Sequence, residues 1–243
     1  MKKSSVFLLI YIVFFFLFSA QVCAQVKLNK IMIDSGILMA KMGYFEAALK
    51  DLNKAVAMDS ASPEAYYNRG VVKLEMKNFH GAIDDFTRVL ELRQSYAEPW
   101  FNRAVAKEGV RDYEGAVWDY TKALSLKADY PEAYHNKALD LMEMGNYTEA
   151  LMNFTRAIQY QPVFPEAYYN RGLCRFYLKE YPASIKDFDE AIRLDTTQAD
   201  YFSSRGAARA SLKQFEQACP DWKKAAELGN ESAGTYFLKY CKK

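Results

Sequence analysis

Apolar residues recur along this chain at spacings of three, four and three. Tyr147, Ala150, Phe154 and Ala157 form one such set, and sets led by Phe45, Phe79, Tyr113, Tyr181 and Phe215 repeat it. The spacing places all four residues on one face of a helix. A second helical stretch precedes each set, and a glycine or polar residue breaks the pattern between the two, as at Gly43 and Gly145. Pro63, Pro131 and Pro165 stand at helix starts, where a missing N–H costs nothing. Glu64, Glu98, Glu132, Glu166 and Asp200 follow those starts and suit the positive end of the helix dipole. The pattern predicts an all-α chain of antiparallel helix pairs.

The pairs repeat. "PEAYYNRG" occurs at Pro63–Gly70 and again at Pro165–Gly172, 102 residues later, which is three times 34. At intervals of 34 stand Asn68, Asn102, Asn136, Asn170 and Ser204, each followed by a basic residue and then by Gly or Ala. Six units without an insertion cover 29–62, 63–96, 97–130, 131–164, 165–198 and 199–232. Beyond them, 231–243 reads as a capping helix and tail, with Tyr236, Phe237 and Tyr240 turned inward.

Two charged columns run through the repeat. Arg69, Arg103, Lys137, Arg171 and Arg205 lie on first helices; Asp51, Asp85, Asp119, Asn153, Asp187 and Asp221 lie on second helices. Residues equidistant from a turn face each other in an antiparallel hairpin. Each aspartate is therefore expected between two basic residues, in an alternating ladder from Asp51 through Arg69, Asp85, Arg103, Asp119, Lys137, Asn153, Arg171, Asp187 and Arg205 to Asp221. The unit with Lys137 in place of arginine also has Asn153 in place of aspartate, which suits a coupled pair. The expected role is to fix helix register.

The unit resembles the tetratricopeptide repeat, a 34-residue helix-turn-helix element. Position four carries the expected aromatic as Tyr66, Trp100, Tyr134, Tyr168 and Phe202. The sequence departs from the family at position seven, where leucine is replaced by Arg or Lys, with Ser35 in the first unit. It departs again at position eleven, where tyrosine is replaced by Lys73, Lys107, Arg175 and Arg209. The resemblance implies a right-handed superhelical solenoid of six units closed by the capping helix. It also implies a concave groove lined by the first helices. Position five would supply Tyr67, Phe101, His135 and Tyr169 to that groove, and position six Asn68, Asn102, Asn136 and Asn170. An asparagine amide both donates and accepts, so the row could hold the backbone of an extended peptide. The same residues could instead bond neighbouring helices, and the rings could pack between units.

Around the repeat, little other chemistry is visible. Lys2 and Lys3, the apolar run Val6–Phe18 and the small Ala24 read as a signal peptide over 1–24, followed by a short lead at 25–28. The run is shorter than the roughly 20 residues of a membrane-spanning helix. Val22 before Cys23 argues against a lipid anchor. The expectation is export to a periplasm or beyond, with no membrane insertion after cleavage. Without Lys2 and Lys3, the 32 basic residues fall to 30 and balance the 30 acids, which argues against nucleic acid. Cys219 and Cys241 lie eleven residues either side of Asn230, so a hairpin there would join them in a disulfide; Cys174 reads as a small buried residue. His80 and His135 are the only histidines, and no HExxH, CxxC, GxSxG or phosphate-loop motif occurs. No catalytic, metal or cofactor site is expected. Asn146, Asn153 and Asn230 head formal glycosylation sequons that read as chance. The sequence points to a non-catalytic scaffold of the cell envelope that binds an extended peptide or a partner helix. A glycan-binding protein and a structural subunit using the convex face are the alternatives. The partner's identity and the oligomeric state stay open.

Overall fold

The computed structural model describes residue 21 and residues 24–241. The basic and apolar stretch of the expected signal peptide lies outside the described residues. Among those described there are thirteen helices and no strand. Helix α1 spans 24–41. It is followed by α2 (Phe45–Met58), α3 (Pro63–Glu75), α4 (Phe79–Leu92) and α5 (Ala97–Gly109). Then come α6 (Tyr113–Leu126), α7 (Pro131–Glu143), α8 (Tyr147–Tyr160) and α9 (Pro165–Tyr177). The chain ends with α10 (Tyr181–Leu194), α11 (Ala199–Ser211), α12 (Phe215–Glu227) and α13 (Glu231–Cys241). The fold is an all-α solenoid of helix pairs. The 25–28 lead is not a separate element but part of α1. Pro220 lies inside α12 without ending it.

The helices form two compact units, one ending at Val110 and one beginning at Arg111. In the first, α2, α3, α4 and α5 pack each on the next; in the second, α6 to α13 do the same. The cores are built from the recurring columns. Phe86 in the first unit, and Tyr120, Phe154 and Phe188 in the second, are fully buried among alanines at zero exposure. The small column opposite has a steric cause. A Cβ at Gly70 would come within 2.9 Å of the Phe86 ring, at Gly172 within 2.7 Å of Phe188, and at Gly206 within 2.6 Å of Trp222.

The turn inside each repeat is left-handed. Gly43 and Gly145 have φ of 80° and 75°, but Lys77, Arg111, Lys179 and Lys213 take the same position at 57° to 63°. In the second repeat the Asn78 N–H bonds Lys73 O at 2.8 Å and the Lys77 N–H bonds Leu74 O at 2.9 Å. This closure satisfies the last carbonyls of α3. The side chains of Asn78 and Asn146 then cap the following helices, at Gly81 N and Glu149 N.

The charged columns differ from the alternating ladder expected above. Asp85, Asp187 and Asp221 are each held by two cations of their own repeat. Asp85 accepts from Arg69 Nε at 2.9 Å, from Arg69 Nη2 at 2.6 Å and from Lys73 Nζ at 2.8 Å. Asp187 is held likewise by Arg171 and Arg175, and Asp221 by Arg205 and Arg209. The link to the preceding repeat comes from Nη1 and lands two residues beyond the expected aspartate. Arg69 reaches Asn53 rather than Asp51, at 2.9 Å; Arg103 reaches Thr87, at 3.1 Å. Arg171 reaches Thr155 at 3.4 Å and Arg205 reaches Asp189 at 2.7 Å. The planar fork explains the offset, because its Nε–Nη2 edge is locked on one carboxylate and Nη1 projects past it.

Asp51 instead takes the Ser35 hydroxyl at 2.8 Å. Asp119 holds the same register on α6 and is fully buried. Lys137 pairs with Glu149 at 3.5 Å, while Asn153 donates to the Glu149 backbone at 2.8 Å, so these two form no rung. Position four lies beneath the same guanidinium, with Arg69 over Tyr66 at 5.3 Å, Arg103 over Trp100 at 4.9 Å and Arg171 over Tyr168 at 5.4 Å. Both departures from the family pattern therefore have one physical cause. Positions seven and eleven are basic because together they neutralise a buried aspartate.

Candidate functional site

The asparagine row proves to be tied into the fold. Asn68 Nδ2 donates to its own helix, at Glu64 O, 2.8 Å away. Asn102 Nδ2 donates to the Tyr67 hydroxyl at 2.9 Å. Asn170 Nδ2 lies 3.3 Å from His135 Nε2, and Ser204 lies 3.4 Å from the Tyr169 hydroxyl. Position six of one repeat thus bonds position five of the repeat before it. Asn136 differs: it donates to the Tyr120 hydroxyl on α6, the second helix of the repeat before it, at 3.3 Å. Position five of the preceding repeat is Phe101, half-buried on α5, whose ring offers no polar tip.

The position-five rings are packing elements as well. Tyr67 meets the edge of Phe86 at 5.9 Å, His135 the edge of Phe154 at 5.4 Å, and Tyr169 lies 5.8 Å from Phe188. Burial pushes the hydroxyl pKa of Tyr67 and Tyr169 upward. The two columns therefore tie repeats together, and one amide N–H of each asparagine is already committed.

His135 is the clearest case. It stacks on Phe164 at 4.7 Å and lies between Asn136 Oδ1, 3.4 Å from Nδ1, and Asn170 Nδ2 at Nε2. The neutral tautomer with the proton on Nδ1 satisfies both contacts. Burial lowers its pKa, against the opposing effects of the Asn136 bond and the Glu166 charge. The folded value then lies below the ordinary one of about 6.5. The stability this site contributes is complete above that value and falls as pH drops through it towards the folded pKa. Thermal melts should show the parent losing more between pH 7 and pH 5 than His135→Gln, which cannot titrate; equal losses would contradict this placement.

One open hollow of about 450 Å³ lies in the first compact unit, walled in part by Pro63, Tyr67, Val89 and Tyr96, and two more lie along the first helices of the second. In the second compact unit, a trough of about 330 Å³ is walled by Phe176, Ala207, Ser211, Phe215, Tyr236 and Tyr240. A second hollow of about 180 Å³, walled in part by Leu173, Tyr177 and Ser204, shares Phe176 and Ala207 with it. Together they make one apolar channel between α9, α11 and α13. The capping helix contributes here because its inner stripe is Ala233, Phe237 and Cys241. Tyr236 and Tyr240, expected to face inward, are instead 45% and 42% exposed and lean on Trp222 at 5.5 and 5.9 Å.

Cys219 and Cys241 are joined in a disulfide, with Cα atoms 5.7 Å apart, fixing α13 to α12. Cys174 is buried, and burial pushes its thiol up to about 12. No cluster of three metal-ligating side chains occurs among the described residues.

Phe176, Tyr177 and Phe215 were not among the residues expected to line the groove. The signal for the first two was present. Tyr169, Leu173, Phe176 and Tyr177 are spaced four, three and one, a single stripe of α9.

Three profiles of the tetratricopeptide repeat match the chain, over residues 38–77, 63–96 and 135–199. Together they span just over half of it, and the chain belongs to that family. Solved structures share the fold. MamA aligns with a TM-score of 0.67 at 22% identity, covering 72% of this chain and 96% of that one. YrrB, described as a TPR protein with an unusual peptide-binding site, aligns at 0.69 and 19% identity, covering 77% and 97%. The pilF protein of Pseudomonas aeruginosa aligns at 0.72 and 17% identity, covering 89% and 99%. No curated protein matches the sequence.

Proposed function

We propose that the protein is a non-catalytic interaction scaffold that holds an extended polypeptide segment or partner helix against its first helices. The carrying observation is the open, mostly apolar channel walled by α9, α11, α12 and α13. Apolar side chains of the partner would seat between Phe176 and Tyr240. Oδ1 of Asn170 makes no hydrogen bond among the described residues, so it can accept a partner N–H. YrrB, with its peptide-binding site, offers a parallel for such a use of the fold.

The glycan reading is less well supported. Exposed Tyr236 and Tyr240 could stack on sugar rings, but no carboxylate or amide side chain is among the residues that line the trough. Export is supported by the apolar N-terminal run and by the Cys219–Cys241 bridge, since disulfides persist outside the reducing cytosol.

The test is affinity capture from envelope extract with the parent, Ala207→Arg and Met152→Arg. Ala207 is shared by both hollows, and Met152 is an exposed position on α8 outside them. A polypeptide held by the parent and Met152→Arg, but lost by Ala207→Arg, is the expected result. Loss through Met152→Arg alone would place the binding face elsewhere. Survival of the ligand in protease-treated extract would favour the glycan.

A further inference from the structure

The ring at position five is covered by a second ring in the fourth and fifth repeats but not in the second. His135 stacks on Phe164 with centroids 4.7 Å apart, and Tyr169 lies 4.7 Å from Tyr201. Phe164 is the last residue of its repeat, and Tyr201 is the third residue of the repeat after Tyr169. In the second repeat position five is Tyr67, and the two matching places hold Tyr96 and Pro99. Pro99 has no aromatic face to offer. Tyr96 is 47% exposed, with the Arg93 guanidinium over its ring at 5.0 Å. Among the described residues, the ring contact of Tyr67 is the edge of Phe86.

Beside Tyr67 lies the 450 Å³ hollow of the first compact unit, and Tyr96 and Pro99 both line it. That volume falls within the range of small-ligand pockets, roughly 300–1,000 Å³. The Tyr67 hydroxyl accepts the Asn102 N–H at 2.9 Å, which holds the ring by its tip. Two features identify the occupant. The first is what the chain itself places on position five elsewhere: an aromatic ring, at the spacing that aromatic pairs prefer. The second is charge at the rim. Glu64 and Glu98 stand at position two of consecutive repeats, and both line the hollow. Glu64 takes the ammonium of Lys30, from position two of the repeat before, at 2.8 Å. Glu98 pairs with no cation among the described residues. Arg93, the cation of the wall, is drawn over Tyr96.

We propose that this hollow receives an aromatic side chain of a partner polypeptide, stacked on Tyr67, with a lysine or arginine next to it in the partner paired to Glu98. The ring takes the place that Phe164 takes on His135 and Tyr201 on Tyr169. The cation repeats on Glu98 what Lys30 does on Glu64. The site belongs to the first compact unit and needs nothing from the channel of the second, so each can fail without the other.

Methyl NMR of Val89, which lines the hollow, tests this. The probes are N-acetyl-tryptophanamide and the acetylated, amidated dipeptide Lys-Trp, each titrated to about 10 mM. Both are expected to shift the Val89 methyl signals saturably, the dipeptide at lower concentration. Pro99→Tyr supplies at position three the ring that Tyr201 supplies to Tyr169, and is expected to weaken both probes at least about tenfold. Tyr67→Leu, which keeps an apolar side chain without the ring, is expected to do the same. Glu98→Gln is expected to remove the advantage of the dipeptide and leave the other probe unchanged. No saturable shift in the parent would overturn the proposal. So would binding indifferent to both Pro99→Tyr and Tyr67→Leu, or Val89 shifts with methyl glucoside and not with the tryptophan probes. Binding seen in Tyr96→Ala alone would overturn it too, since Tyr96 would then be the occupant of its own hollow.

Discussion

Asp187→Asn is expected to lower the stability of the second compact unit by about 3 kcal/mol, because it leaves two part-buried cations without their buried counter-charge. Arg171 contributes two bonds to this carboxylate and Arg175 a third; the aspartate side chain is 4% exposed. At roughly 2–4 °C per kcal/mol for a chain of this size, the melting temperature should fall by about 10 °C. The protein contains its own control. The fourth repeat replaces the whole set with Lys137, Leu141 and Asn153, and Asn153 satisfies itself on the backbone of α8. Adding Arg171→Lys and Arg175→Leu to Asp187→Asn should therefore recover much of the loss. Thermal or urea melts of the single and triple variants measure this. A single variant within about 1 kcal/mol of the parent would mean that the columns behave as solvated surface pairs.

Reducing the Cys219–Cys241 bridge is expected to cost the α12–α13 pair about 3 kcal/mol, the loop-closure figure for a span of this order. The capping helix has few other anchors. Ala233 is its buried residue, and Asn230 caps its start by accepting from Ala233 N at 2.8 Å while donating to Asp200 at 2.9 Å. Cys241→Ser should therefore free α13 first. Hydrogen exchange would show protection lost over 231–241, and the Trp222 environment should change, because Tyr236 and Tyr240 leave its ring. Exchange in α6–α8 should stay as in the parent. Unchanged protection in α13 would show that side-chain packing alone holds the cap.

Much of this architecture was legible in the sequence, because a 34-residue period repeats the same local chemistry six times. The starts at Pro63, Pro131 and Pro165 are set by proline at the first helical turn, and the core columns by helical spacing. The partners of Arg69 and Arg205 were not legible to the residue. Reflecting a hairpin about its turn gives register to within a position or two, whereas the direction of Nη1 depends on the locked guanidinium plane. The fate of the asparagines was undecidable from composition, since an amide suits a peptide and a neighbouring tyrosine equally. Only the 2.9 Å bond from Asn102 to Tyr67 assigns its N–H. The channel escaped because Phe215, Tyr236 and Tyr240 come from helices with different phases, and the lean of Tyr236 away from the core is fixed by Phe237 taking the inner position.

On the proposed function the partner lies in the channel walled by α9, α11, α12 and α13. A photo-crosslinking side chain placed at Ser211, which lines that channel, would be compared in living cells with one at exposed Met152 on α8. The polypeptide recovered by affinity capture is expected to be crosslinked from position 211 and not from position 152. Adducts from position 152 alone would contradict it, and would move the interaction to a face that the repeat leaves outside the channel.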